Sequence, residues 1–277
     1  ALVMLLARLA PAPEPKRYGP HDDWPTVTLL IAAYNEERVI GQKLRNSLAL
    51  RYPKPIEILV VSDGSTDRTP AIVESHAGRG VVSMHRPERR GKTAALNRGV
   101  AAARGDVIVF SDANNDFNER ALEWLVAPLA DATTGGVCGV KRIRSAADRE
   151  SSVGDGLYWR YESAIKDAES RLGSITNADG EIFAMWRALW KPIPEHLIND
   201  DAQITFDIID QGRRVLYEMR AESVESASIR IEDDFHVKVR MVAGGFQTLA
   251  THWRSLLPPR SWFSLAFLSH KALRYLM

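Results

Sequence analysis

The chain has 277 residues, 45% of them apolar and 26% charged, with a formal net charge of +1. That length buries a full core as one large domain or two, and the composition is that of an ordinary globular protein. With 36 basic residues against 35 acidic ones, overall charge gives no ground for a nucleic acid partner or an anionic surface. The single cysteine, Cys138, excludes an internal disulfide and suits a reducing, cytoplasmic setting. It lies in an apolar stretch and reads as a small core residue.

The first ten residues, Ala1 to Ala10, are nearly all apolar. They are too few to span a bilayer, which takes about 20, and they lack the charged start and cleavage site of a secretory signal. A Pro-rich linker, Pro11 to Pro25, follows. Near the other end, Trp262 to Leu268 is apolar and aromatic, before His270, Lys271 and Arg274. Both ends read as stubs of membrane segments around a water-facing domain. The competing reading is that they are terminal helices packed on a soluble enzyme.

Between the ends, strand and helix alternate. Val27 to Ala33 predicts a buried strand, and Tyr34-Asn35-Glu36-Glu37 then opens a helix to about Leu50, with Asn35 as its cap. Ile56 to Val61 is a second strand, ending in Ser62-Asp63-Gly64-Ser65-Thr66-Asp67 and a helix to about Ala77. Val81 to His85 is a third strand, and Arg89-Arg90-Gly91-Lys92 leads into a helix from Thr93 to about Ala103. Val107 to Phe110 is a fourth, running out into Ser111-Asp112-Ala113-Asn114, with a helix from about Glu119 to Ala130 behind it. This alternation predicts an α/β fold with a mostly parallel sheet flanked by helices, whose ligands bind at the carboxyl ends of the strands. Tyr34, Asp63 and Asp112 all fall at those ends.

The second half is less regular. Val137 to Ile143 reads as a strand, and Gly154 to Leu172 as an amphipathic helix with Leu157, Tyr161, Ala164 and Ile165 on one face. Asn177 to Gly180 is a turn before the apolar run Ile182 to Trp186. Asn199-Asp200-Asp201 precedes a helix with Ile204, Ile208 and Ile209 inward, and Val215 to Tyr217 is a short strand. From Arg230 onward, basic and apolar residues mix at helical spacing.

No P-loop pattern exists, and no Gly-x-Gly-x-x-Gly follows the first strand. What remains is a carboxylate after strand two, a carboxylate and amide after strand four, and a basic loop between them. Magnesium or manganese binds through one or two carboxylates while substrate phosphates fill other positions. Asp112 with Asn114 therefore suits Mg²⁺ or Mn²⁺ on a diphosphate, with weak affinity in the absence of nucleotide. The competing reading, that both residues cap the next helix, stays open from these residues alone. Asp63 could accept hydrogen bonds from a nucleobase or ribose, and Lys92, beside Gly91 at a helix start, could neutralise phosphate. Asp200 and Asp201 are either dipole-stabilising caps or the location of a general base.

Taken in order, these segments resemble the family 2 glycosyltransferases of the GT-A fold. The resemblance runs from about Val27 to Gly244 and is carried by five blocks. They are Tyr34-Asn35-Glu36-Glu37, Ser62 to Asp67, Gly91 to Gly99, Asp112-Ala113-Asn114 and Asn199-Asp200-Asp201. It implies a donor site of Ala33, Tyr34, Glu36, Asp63 (toward uridine), Gly91, Lys92, Asn97, Ser111, Asp112 and Arg240. It also implies a metal at Asp112 and Asn114, Asp201 as catalytic base, and Asp179, Gly180, Trp186 and Asp200 bordering the acceptor. A sixth motif departs: in Val237-Lys238-Val239-Arg240-Met241, the arginine of the Gln-x-x-Arg-Trp motif of membrane synthases is kept while Val237 and Met241 replace Gln and Trp. Transfer is thus implied; processive polymerisation is not.

The expectation is an inverting, metal-dependent glycosyltransferase that moves a sugar from a UDP-sugar to a hydroxyl of a glycan or lipid-linked acceptor. It would be membrane-associated and face the cytoplasm. Residues 1–25 would form the apolar stub and linker, 26–229 the catalytic domain (donor half 26–118, acceptor half 119–229), and 230–277 interfacial helices. A nucleotidyltransferase and a catalytically silent sugar-nucleotide-binding module are the alternatives.

Overall fold

The computed structural model describes residues 2–9, 14–144, 152–226, 231–256 and 261–268. After α1 (Leu2–Leu9), the first half alternates β1 (Val27–Ala33), α2 (Ile40–Leu48), β2 (Ile56–Asp63), α3 (Thr69–Glu74), β3 (Val81–Arg86), α4 (Lys92–Ala102) and β4 (Val107–Asp112). The second half carries β5 (Asn115–Phe117), α5 (Ala121–Val126), β6 (Thr134–Arg144), α6 (Ser152–Leu172), β7 (Ile182–Trp186), α7 (Asp200–Asp210), β8 (Arg214–Ser226), α8 (Ile231–Leu256) and α9 (Trp262–Phe267).

The eight strands among the described residues form one sheet in the order β3-β2-β1-β4-β7-β6-β8-β5. The first four are mutually parallel, β7 runs antiparallel to both β4 and β6, and β6 and β8 are again parallel. The α/β layering follows from the strand sequences. In β1, Leu29 and Ile31 join a core with α2, α3 and α5 on one face, while Leu30 joins Leu96 of α4 and Ile204 and Ile208 of α7 on the other. A chain buried on both faces must be apolar at consecutive positions, as β1, β4 and β7 are.

Several expected boundaries move. Asn35 does not cap α2, which begins five residues later. It sits in the left-handed region (φ 54°), and its Oδ1 accepts from the Thr66 N–H at 2.8 Å, tying the tip of β1 to the loop after β2. The helix expected from Glu119 starts at Ala121 and divides into α5 and a short 3-10 turn, and β5 before it is not expected from the sequence. Val215 to Tyr217 is only the start of a 13-residue strand. Tyr161 is exposed, whereas Ile165 faces inward. Near the ends, α1 lies against α6, and Phe263 and Phe267 of α9 pack on Phe206 and Leu256. No helix among the described residues is long and apolar enough to cross a membrane.

This topology decides what shares an edge. The carboxyl ends of β1, β2, β4, β6 and β8 lie together with the amino end of β7, where Ser111 pairs with Ile182 and Lys141 with Ser223.

Candidate active site

At that edge the loop after β3 folds over the tip of β2. Gly64 makes the approach possible: it has φ +73°, and a Cβ there would lie 2.5–2.8 Å from Arg89 atoms. Asp63 Oδ2 accepts from the Arg90 and Gly91 N–H groups at 2.8 and 2.6 Å, and Oδ1 from Arg98 Nη1 at 2.9 Å. The carboxylate thus anchors the basic loop and the start of α4. Tyr34, at the end of β1, lies under the guanidinium of Arg89, 3.8 Å from the ring centroid, and Ala33 is buried beside Ser62. Asp67 accepts from the Thr69 N–H at 2.9 Å in the first turn of α3.

Asp112 ends β4 with its side chain about a third exposed, and Lys92 Nζ lies 2.8 Å from its Oδ1. Burial opposes ionisation of Asp112, but the ammoniums of Lys92, Lys141 and Lys43 outweigh it and hold the carboxyl below its ordinary range. Burial likewise opposes the charge on Lys92, and the pull of Asp112 and Asp200 wins, raising its pKa. Glu36 is half-buried, and burial together with Asp112, Asp67 and Glu225 raises its carboxyl. Asn114 donates from Nδ2 to Glu225 Oε1 at 2.6 Å.

This donor set fits a divalent cation. Asp112 is kept ionised and already attracts a cation, and the Asn114 amide uses its nitrogen elsewhere, leaving an oxygen of the hard type that Mg²⁺ and Mn²⁺ take. Among the described residues no group of three or more His, Cys, Asp or Glu side chains makes a metal cage. Substrate phosphate would have to complete the shell.

Asp200 and Asp201 open α7 on the far side of Lys92, whose Nζ is 3.9 Å from Asp200 Oδ2. Asp201 accepts from the Ala202 N–H at 2.7 Å. Burial and then repulsion from Asp200 push its carboxyl up to about 7, against the opposing pull of that N–H and of Lys92. Gly180 lies beside this pair: a Cβ there would be in ordinary contact, 3.4 Å from Asp201 Cβ and 3.9 Å from Asp200 Oδ2. Asp179 is held by Lys166 at 2.6 Å, on a lysine that is itself nearly buried. A carboxyl whose pKa is raised toward neutrality, on the same edge as Lys92 and Asp112, is equipped to deprotonate a hydroxyl.

The sheet brings Asp63, Lys92, Asp112, Asn114, Asp179, Gly180, Asp200 and Asp201 to one edge; of the other expected members, Trp186 lies elsewhere, and Asn97 and Ser111 are engaged within the fold. Trp186 pairs with Val107, the first residue of β4, so it lies at the opposite edge, about 16 Å from Asp112 at ~3.3 Å per residue. The antiparallel course of β7 is the reason. Asn97 clasps the backbone of Ile193, donating to its carbonyl at 2.8 Å and accepting from its N–H at 2.9 Å. Ser111 is buried beside Asp112 and donates to Asn115 Oδ1 at 2.9 Å. Arg240 lies on α8, and its side chain is outside the described residues.

Sequence reasoning also missed a polar layer under Asp112. Lys43 of α2 is buried and donates to Asn115 Oδ1 at 2.7 Å, and burial lowers its pKa to about 7 against the pull of Asp116, Asp112 and Glu181. Lys141 bridges Glu181 and Glu225. These residues come from α2, β6, the start of β7 and β8, so no local motif marks them.

The model of one protein family, described as Glycosyl transferase family 2, matches residues 28–193, more than half of the chain. Among curated proteins, the poly-beta-1,6-N-acetyl-D-glucosamine synthase of Staphylococcus aureus (strain COL) is 26% identical over 237 residues, covering 82% of this chain and 56% of that protein. The probable glycosyltransferase YdaM of Bacillus subtilis (strain 168) is 41% identical over 130 residues, 44% of this chain and 31% of that protein. The chain spans about half the length, or less, of these relatives. Among solved structures, the mannosyltransferase PcManGT from Pyrobaculum calidifontis, in complex with GDP-Man and Mn²⁺, superposes with a TM-score of 0.78 at 26% identity, covering 99% of this chain and 79% of that one. S. aureus TarS, at 18% identity, a TM-score of 0.56 and coverage of 81% and 40%, shares the fold alone.

Proposed function

The chain belongs to glycosyl transferase family 2 and has the GT-A fold, and on that premise we propose that it is the catalytic unit of an inverting, metal-dependent glycosyltransferase. It takes a nucleoside-diphosphate sugar, a UDP-sugar in the first reading, and glycosylates a hydroxyl of a glycan or lipid-linked acceptor. The observation that carries this reading is Asp201, a partly buried carboxyl raised to about 7 on the same sheet edge as Asp112 and Lys92.

Asp201 accepts the acceptor hydroxyl's proton as its oxygen attacks the anomeric carbon in line. The bond from that carbon to the phosphate oxygen breaks, and the nucleoside diphosphate departs with the bonding pair. The Lys92 ammonium, on the first turn of α4, faces the charge that develops there. A Mg²⁺ or Mn²⁺ held by Asp112 and Asn114 would add Lewis-acid stabilisation of the leaving diphosphate. The basic loop anchored by Asp63, with Tyr34 and Arg89, borders the nucleoside, and Asp179, Gly180 and Asp200 border the acceptor.

Membrane association on the cytoplasmic side belongs to the same proposal. It is supported by Val239, Val242, Phe246 and Trp253 of α8, large apolar residues exposed at helical spacing. A GDP-sugar donor is the second reading, favoured by the GDP-Man bound in the archaeal neighbour.

Turnover of UDP-GlcNAc and GDP-Man, with and without Mn²⁺, tests the donor. Slow Mn²⁺-stimulated hydrolysis of the UDP-sugar supports the first reading, and selective turnover of GDP-Man supports the second. Pyrophosphate release from a nucleoside triphosphate, or no turnover of any donor, overturns both.

A further inference from the structure

Asn114 brings no charge to the cation site, yet its amide is firmly oriented. Nδ2 donates to Glu225 Oε1 at 2.6 Å, across 111 residues of sequence. Glu225 is near the end of β8 and faces Asn115 in the β5–β8 ladder, so the sheet register itself delivers it to the Asp112-Ala113-Asn114 loop. Its other oxygen, Oε2, accepts from Lys141 Nζ at 2.5 Å. Lys141 also ion-pairs Glu181, whose Oε1 accepts from Ser223 Oγ at 2.9 Å.

An ionised carboxylate only accepts hydrogen bonds. A carboxylate beside Asn114 and paired with a lysine therefore settles which way the amide points: nitrogen toward Glu225, oxygen away from it. The same carboxylate stands one hydrogen bond behind a position where a second negative charge would sit if residue 114 were acidic. Carboxylates that hold a metal ligand from behind both orient it and raise its donor strength.

We propose that Glu225, braced by Lys141, is a positioning residue of the cation site: it fixes the Asn114 amide with its oxygen toward the cation and supplies from behind the negative charge that Asn114 lacks. This rests on the metal reading of Asp112 and Asn114 above. It makes a swap testable. Asn114→Asp alone sets two carboxylates against each other at hydrogen-bond distance, whereas Asn114→Asp with Glu225→Gln moves the charge forward and gives it an amide partner.

The test uses the full chain, Mn²⁺ as the probe and saturating UDP or, in parallel, GDP. Free Mn²⁺ is read by electron paramagnetic resonance, nucleotide affinity without metal by calorimetry, and folding by thermal unfolding. Glu225→Gln should weaken Mn²⁺ binding by ~10-fold or more with metal-free nucleotide affinity unchanged. Asn114→Asp should weaken it as well, and the double variant should recover wild-type affinity. The double keeps one carboxylate in the pair, so it carries the test if Glu225→Gln alone does not fold. Wild-type Mn²⁺ affinity in Glu225→Gln, or a double variant no tighter than Asn114→Asp, overturns the proposal. Asp112→Ala separates the two levels. If it abolishes nucleotide-dependent Mn²⁺ binding while Glu225→Gln changes nothing, only the role of Glu225 falls. If it leaves Mn²⁺ binding intact, the metal reading falls too.

Discussion

Replacing Asp201 by Asn should stabilise the fold at about pH 8. Burial and the Asp200 carboxylate lift the Asp201 carboxyl from an ordinary 3.8 to about 7. Between those values the folded protein holds a proton that the unfolded chain has released. Stability therefore falls as pH rises through that window, and the loss is complete above about 7. Some 3 pH units at ~1.4 kcal/mol each set a ceiling of ~4 kcal/mol. Even half of that, ~2 kcal/mol, corresponds to about 4–8 °C in Tm for a domain of this size. Asn carries no charge to bury, so the variant's advantage should be largest at about pH 8 and shrink toward zero near pH 4. Thermal unfolding of both proteins across that range measures it. No gain at about pH 8, or a gain that persists on acidification, would refute the account of how this carboxyl is held.

Asn97→Ala removes both hydrogen bonds to the Ile193 backbone. It should lower stability by about 1–3 kcal/mol in urea titrations while leaving nucleotide affinity unchanged, unlike a donor-binding residue. Gly244→Ala places a Cβ 2.4 Å from Asn199 Oδ1, immediately before Asp200 and Asp201. It should lower kcat with the donor KM unchanged, read from steady-state kinetics, because only the residues that precede the base are displaced.

Much of this fold is legible where a strand is buried on both faces. β1 and β7 have the limits that their apolar runs predict, and Asp63 and Asp112 share an edge with Tyr34 because regular βαβ alternation forces strand tips together. Legibility fails where tertiary partners do the work. β8 extends far past Tyr217 because Glu218 is paired with Arg17 and Arg220, and Ala221 and Ser223 turn inward, so its charges hide a strand. The family resemblance implies Trp186 at the acceptor, and only the antiparallel course of β7 carries it to the opposite edge. Asn97 and Ser111 sit inside recognisable motifs, but their partners, Ile193 and Asn115, are set by packing. Glu225 reaches Asn114 through sheet register, which no local pattern encodes.

The most direct test of the central claim is transfer and nucleotide binding measured side by side on Asp201→Asn. The account predicts unchanged affinity for the nucleoside diphosphate and a loss of transfer of about 10²-fold or more, the range of a missing general base. Transfer at the wild-type rate would contradict it.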